Sequence, residues 1–411
     1  MTAGRGAALL RPAESSGRAT FLELFFDLAF VVALTRVSQR FAGLGDDTGW
    51  ALAEGFGRTL LLFLALWLIW SHTAWITSRY EPEQPVVQAV VVGTMFAGLV
   101  MAVTLPRAME ERAVPFVAAY LVVMVVRPLV VAAALSGHPR RRVPLRLAVW
   151  AAATAPLWLV GALGPDRFRL SLWAVALAVD YLAWTLGWPL PRVGASRIGR
   201  WRIAGTHLAD RYQQMVLIAL GESILVLGTV FSGADYSGER AAAFVVAFAT
   251  SALIWRIYFH RAGLLLTEAL ERATPPGRLG AMSERTHLLI VLSVLVTSVG
   301  YELVIDDPFG PPRPAWLLFL VGGPMLFLVA RARLEHEIFG RVSRSRIVGL
   351  VALLLFTPAV ARWEPMVGLS VVAGVLALVA LLDARRSRGR PTEVPASPVA
   401  GETPGDRDCE A

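Results

Sequence analysis

The 411-residue sequence has no lysine, one cysteine and few charges of any kind: acidic and basic residues together make up 17%. Each scarcity excludes something. With Cys409 alone, neither an intrachain disulfide nor a thiolate metal site can form. No phosphate-binding glycine loop, paired-histidine zinc motif or nucleophile elbow occurs, so soluble enzyme chemistry is not visible, and neither a cofactor nor a metal is expected. What fills the chain is hydrocarbon. Hydrophobic residues account for 56% and the mean hydropathy is +0.58, far more apolar than a soluble domain and characteristic of a membrane protein.

A bilayer core about 30 Å thick needs about 20 apolar residues per helix. Twelve windows qualify: 21–40, 57–77, 85–105, 113–135, 144–163, 168–190, 210–231, 240–260, 286–305, 315–334, 345–361 and 365–383. The expected fold is therefore all-α, a polytopic transmembrane helix bundle of about 12 spans. It divides into an N-terminal segment (1–20), a first membrane half (21–190), a linker (191–209), a second half (210–383) and a disordered tail (384–411). The N-terminal segment carries Arg5, Arg11 and Arg18 around a patch from Ala7 to Leu10, too short for the core of a signal peptide, so no cleavage is expected.

All 39 basic residues are arginine, which gives a net charge of +8. Their placement is uneven. If the N-terminus is cytoplasmic, the even-numbered loops hold Arg79; Arg140, Arg141, Arg142 and Arg146; Arg192, Arg197, Arg200 and Arg202; Arg261, Arg272, Arg278 and Arg285; and Arg331, Arg333, Arg341, Arg344 and Arg346. The opposite loops hold scattered arginines beside Asp46, Asp47, Asp306 and Asp307. The positive-inside rule then predicts both termini in the cytoplasm, which requires an even number of spans and so supports twelve. Membrane lipids are the expected partners, nucleic acid is not, and a homo-oligomer is compatible with the pattern.

The chain also repeats itself weakly. "LFFDLAFVVALT" of the first span aligns with "IALGESILVLGT" of the seventh, Asp27 falling on Glu222. "LIWSHTAW" of the second aligns with "LIWRIYFH" of the eighth, Trp70 falling on Trp255. Arg146 to "TAP" in the fifth matches Arg346 to "FTP" in the eleventh. Order is kept at offsets near 200, so two parallel six-helix repeats are expected, related by an axis along the membrane normal.

Charges inside such spans are expensive and normally face a bundle interior or an aqueous path. Glu23 and Asp27, four positions apart, share one helix face about a turn apart. Counting along the spans places Asp27, Arg127 and Arg256 in the cytoplasmic half, with His72 and His260 on the same side, and Asp180 and Glu222 near mid-depth. These groups either form buried pairs that specify packing or line a solute or proton path.

"FLELFFDLAFVVAL" (21–34), "HLADRYQQMVLIALGES" (207–223) and "WRIYF" (255–259) resemble the signature segments of the bacterial low temperature requirement protein A family, along essentially the whole chain. The resemblance implies a polytopic membrane protein. It also implies that Glu23, Phe26 and Asp27 carry one motif and His207, Arg211, Gly221, Glu222 and Ser223 a second. Two positions depart from the family pattern: Asp210 stands where a glutamate is usual before the arginine, and His260 where an acid often ends the eighth span. The family implies no molecular activity. Two readings stand: a transporter or channel for a small solute, ion or proton, with Glu23, Asp27, His72, Arg127, Asp180, Arg211, Glu222, Ser223, Arg256 and His260 as its buried polar set, or an intramembrane enzyme or scaffold acting on lipid or envelope components, with Ser223 as the one candidate nucleophile.

Overall fold

The computed structural model describes residues 8–11, 18–192, 194–196, 203–233, 235–273, 276–389 and 393–397. Arg5 in the N-terminal segment, Arg197, Arg200 and Arg202 in the linker, and Cys409 with most of the tail lie outside the described residues. Among the described residues 81% are helical and there is no strand, only two isolated bridges.

Every apolar window lies on a helix. The first half holds α1 (Phe21–Ala42), α2 (Gly49–Thr77), α3 (Pro85–Thr104), α4 (Ala113–Ala134), α5 (Arg142–Leu163) and α6 (Asp166–Leu186). The second holds α7 (Gly205–Gly233), α8 (Gly238–Phe259), α9 (Ala262–Arg272), α10 (Pro276–Asp306), α11 (Pro314–Phe339), α12 (Arg344–Val360) and α13 (Pro365–Ser387). Among the described residues, ten helical segments are long and apolar enough to cross a membrane. The two apolar windows that fall short do so for identifiable reasons: α1 carries Glu23, Asp27, Arg36 and Arg40, and α12 has 17 residues. The outward face of α1 is nonetheless hydrocarbon, with Phe25, Leu28 and Val32 exposed.

Within the first half α1 packs on α2 and α3, α3 on α4, α4 on α5, α5 on α6, and α6 back on α2. The second half repeats that order, with α7 on α8 and α10, α10 on α11, α11 on α12, α12 on α13, and α13 back on α8. Both halves also contain the same backbone irregularity. Val122–Val126 in α4 and Leu318–Gly322 in α11 are π turns, each with a proline two residues past its end, Pro128 and Pro324. The cause is steric: a proline ring clashes with the carbonyl four residues back, here that of Met124 or Leu320, and the widened turn makes room for it. The halves differ in which helix they enclose. The apolar window of α2 is 83% buried and that of α10 is 78% buried, and these two helices form the two cores.

One stretch read as loop is not. Between the eighth and ninth windows lies α9, an amphipathic helix that buries Leu266, Ala269 and Leu270 against α7 and α11. Several arginines assigned to loops are also buried, Arg331 and Arg346 completely. They are packing residues rather than topology markers alone.

Candidate functional site

Helices α1 and α7 lie side by side in register, so residues 184 apart meet. At their first turns Glu23 Oε2 accepts from the Thr20 backbone N–H (2.8 Å) and lies 3.0 Å from His207 Nε2. Glu23 sits at the third position after the extended residue Thr20, where a carboxylate caps the exposed N–H groups of a helix start. One turn further, Arg211 donates both terminal nitrogens to Asp27, at 2.7 and 2.8 Å, and its Nε lies 3.7 Å from Glu23 Oε1. Trp70 Nε1 of α2 donates to the same Asp27 carboxylate (3.1 Å), and Arg211 stands over the Trp70 ring at 5.8 Å. Ser78 Oγ at the end of α2 holds His207 Nδ1 at 2.9 Å. Two carboxylates thus face one guanidinium and one imidazole, all buried, and three helices from the two halves are cross-linked.

Glu222 is different. About three turns beyond Arg211 on α7, it is fully buried and meets only hydroxyls: Ser298 Oγ of α10 lies 3.4 Å from Oε2, and Ser38 of α1 is the other neighbour. Oε1 has no hydrogen-bond partner and the residue forms no ion pair among the described residues. Glu302 and Asp306 follow Ser298 at intervals of four on α10, hence on the same helix face, and Glu302 lies within electrostatic reach of Glu222. Between Glu222 and Arg211, α7 buries Met215, Val216 and Ala219, and α10 buries Ile290, Val291 and Val294 with Ser293 among them. The alignment that set Asp27 on Glu222 therefore joins residues at different depths. Ser38 is the α1 residue level with Glu222.

The remaining expected site residues disperse. Asp180 accepts from Tyr120 Oη (2.8 Å), Thr154 Oγ1 (2.8 Å) and Trp158 Nε1 (3.3 Å), a closed centre among α4, α5 and α6. His72 and Arg127 meet in a separate cavity of the first half. Ser223 Oγ donates to the Leu220 carbonyl (2.7 Å) and lies 3.2 Å from Ser251, with no base beside it, so it is a helix-contact hydroxyl. Arg256 and His260 do not join the buried set. Ile254, Ile257 and Tyr258 take the inner face of α8, which turns Trp255 (48% exposed) and Arg256 outward, and Arg256 Nη1 meets only His260 Nδ1 (2.9 Å). Trp70 and Trp255, matched in sequence, thus occupy opposite environments.

Among the centres that sequence reasoning missed, two stand out. Glu284 of α10 is buried and accepts from Ser71 Oγ and from Trp75 Nε1 (3.0 Å). Arg346 of α12 donates to Asp383 (2.6 Å) and Glu335 (3.1 Å), while Arg331 of α11 pairs with Glu335 (3.3 Å) and donates to the Ile257 and His260 carbonyls. The four-residue spacing of Arg331 and Glu335 was the available signal for the second.

The sequence model of the family described as bacterial low temperature requirement A protein matches residues 18–381. An uncharacterized protein of Rhizobium meliloti (strain 1021) is 32% identical over 380 residues, which cover 90% of this chain and 91% of that one. No solved structure matches the chain. The acid-bearing segments on α1 and α7 both lie inside the matched region.

Proposed function

The chain belongs to the bacterial low temperature requirement A family and is a multi-pass membrane protein; we propose that it moves protons or small cations across the bilayer, with Glu222 as the exchanging group. One observation carries the reading: a carboxylate fully buried between the halves, with hydroxyl neighbours and no counter-cation among the described residues. A lone carboxylate in that setting needs a proton or a small cation to neutralise it, because an uncompensated charge at mid-depth is costly. The Glu302 and Asp306 side chains continue the acidic row to one end of α10.

The topology that suits this function has twelve spans and both termini in the cytoplasm, with α1 and α12 crossing despite their charge or length. The arginine asymmetry supports it. Two six-helix repeats lying the same way up are supported by the shared packing order and by the paired π turns before Pro128 and Pro324. Glu302 and Asp306 then open outward, and the mainly apolar stretch between Glu222 and Arg211 closes the cytoplasmic side. Transport requires that stretch to part. The α1–α7 charge cluster holds the cytoplasmic ends of the halves together.

The test is flux in vesicles. Purified protein reconstituted with an internal pH-sensitive dye is expected to dissipate an imposed proton gradient, alone or in exchange for external Na⁺ or K⁺, and Glu222→Gln is expected to abolish that flux. Wild-type protein that dissipates no gradient under any of these conditions, or a Glu222→Gln variant with wild-type flux, overturns the proposal.

A further inference from the structure

A half-open cavity lies at the seam between the halves, where α6 ends and α10 begins, and neither the α1–α7 cluster nor Glu222 takes part in it. Its free volume is about 670 Å³, against about 50 Å³ for the cavity beside His72. Pockets that take a ligand run from roughly 300 to 1,000 Å³. Trp184 and Leu186 of α6, Met282 of α10 and the arginines Arg278, Arg285 and Arg333 line it.

The frame is fixed on both sides. Trp184 of α6 is hydrogen-bonded to the buried Glu284 of α10, which joins the halves beneath the cavity. The loop after α6 returns on itself at Gly187 (φ 72°), whose carbonyl accepts from the Ser196 N–H (2.7 Å). A Cβ at Gly187 would collide with the Ser196 carbonyl, so only glycine permits the turn that sets Ser196 on the rim.

The lining is divided by chemistry. Arg278, Met282 and Arg285 follow one another at intervals of four and three on α10, hence on one face, with the arginines about 10 Å apart along the axis. Arg333 of α11 adds a third cation and is paired with Glu337 (3.1 Å). Arg285 is exposed and makes no hydrogen bond or ion pair among the described residues; its neighbour Glu284 turns inward to accept from Ser71 and Trp75. On the α6 side Leu186 is 51% exposed, and Leu182 and Val175 continue the same exposed face, so an apolar track leads away from the cavity along the helix. The depth matches this division. Arg285 directly precedes the apolar window 286–305 and Arg333 closes the window 315–334, which sets the arginines where hydrocarbon gives way to headgroups.

We infer that the seam cavity is a site for one anionic phospholipid, its phosphate on Arg285 between Arg278 and Arg333 and an acyl chain along Leu186 and Leu182. A basic pocket between transmembrane helices at the membrane surface is the setting in which anionic headgroups are held. A soluble anion would leave the apolar track bare, and a zwitterionic lipid brings its own cation to the phosphate. Only an anionic lipid satisfies both walls. The inference does not depend on Glu222 or on transport.

The test uses the full-length protein in phosphatidylcholine nanodiscs in which phosphatidylglycerol replaces a rising share of the lipid at constant ionic strength. Melting temperature is the readout, and native mass spectrometry of the detergent-purified protein counts retained phosphatidylglycerol. A saturable rise in melting temperature with one retained lipid is expected, weakened at least about tenfold by Arg285→Gln. Arg256→Gln, which removes an outward arginine near the end of α8, should leave the response unchanged, whereas a general attraction to anionic surface would be lowered by either change. Glycerol 3-phosphate, which has the phosphate and no chains, should give no such rise. The inference is overturned by the absence of a wild-type response, by an undiminished response in Arg285→Gln, by an equal loss in Arg256→Gln, or by a response to glycerol 3-phosphate that matches the lipid's. If Arg285→Gln cannot be recovered folded, Arg278→Gln and Leu186→Gln decide: weakening in either supports the site, and unchanged binding in both overturns it.

Discussion

Arg211 and Glu222 lie on the same helix, equally buried, yet their surroundings are opposite. Arg211 has a bidentate carboxylate, a second acid and a tryptophan face, so its charge is cancelled by fixed protein groups. Glu222 has two serines and one empty oxygen. Burial alone therefore does not separate a structural charge from a working one. On the proposed function the completeness of pairing does: a carboxylate whose oxygens are all taken by protein donors, as in Asp27, Asp180 and Glu284, has no reason to exchange a proton or ion, whereas one left with an empty oxygen and no cation takes its neutralising partner from outside the chain.

The largest effect that can break this contrast is expected at Asp27. Asp27→Asn leaves Arg211 with no carboxylate nearer than Glu23 at 3.7 Å and should cost about 3–5 kcal/mol, read as lowered melting temperature and membrane abundance. Adding Arg211→Gln to that variant should recover part of the loss, since the two sites share one interaction; strict additivity of the two single effects would contradict the pairing. His207→Ala should cost less, about 1–3 kcal/mol, because it leaves Glu23 without one partner while Thr20 and Arg211 remain.

Glu222→Gln sharpens the contrast from the other side. No guanidinium depends on Glu222, so denaturation should shift by no more than about 1 kcal/mol while ion flux disappears. The smallest effect belongs to Arg256→Gln. Its side chain faces outward and meets only His260, so stability should stay within about 0.5 kcal/mol and flux should be unchanged. A flux defect in Arg256→Gln would restore that residue to the site from which the geometry removes it.

Much of the architecture was legible because hydrophobic windows in a bilayer leave a chain few alternatives to helices. The cluster on α1 and α7 was half legible. Glu23 and Asp27 could be seen to share a face, but Arg127 and Arg256 were as plausible partners by depth as Arg211, and depth does not say which helices touch. The in-register contact of α1 with α7 decided it. The packing role of the arginines of α11 and α12 was missed for a related reason: near a span end, a guanidinium that marks the cytoplasmic side and one that is buried on a carboxylate look alike in sequence. Glu284 escaped notice because "SERTH" begins before the apolar window that follows it, while α10 extends back to Pro276. The His72 and Arg127 cavity depends on a loop fold at Gly187 and Trp188 that no periodicity reports.

The contrast between paired and unpaired charge is tested most directly by measuring flux and melting on the same reconstituted preparations of Asp27→Asn and Glu222→Gln, with flux expressed per folded molecule. Asp27→Asn is predicted to melt well below the parent yet keep most of its flux per folded molecule, and Glu222→Gln to melt with the parent and carry none. A Glu222→Gln protein that melts as low as Asp27→Asn, or that transports at the parental rate, would contradict the account.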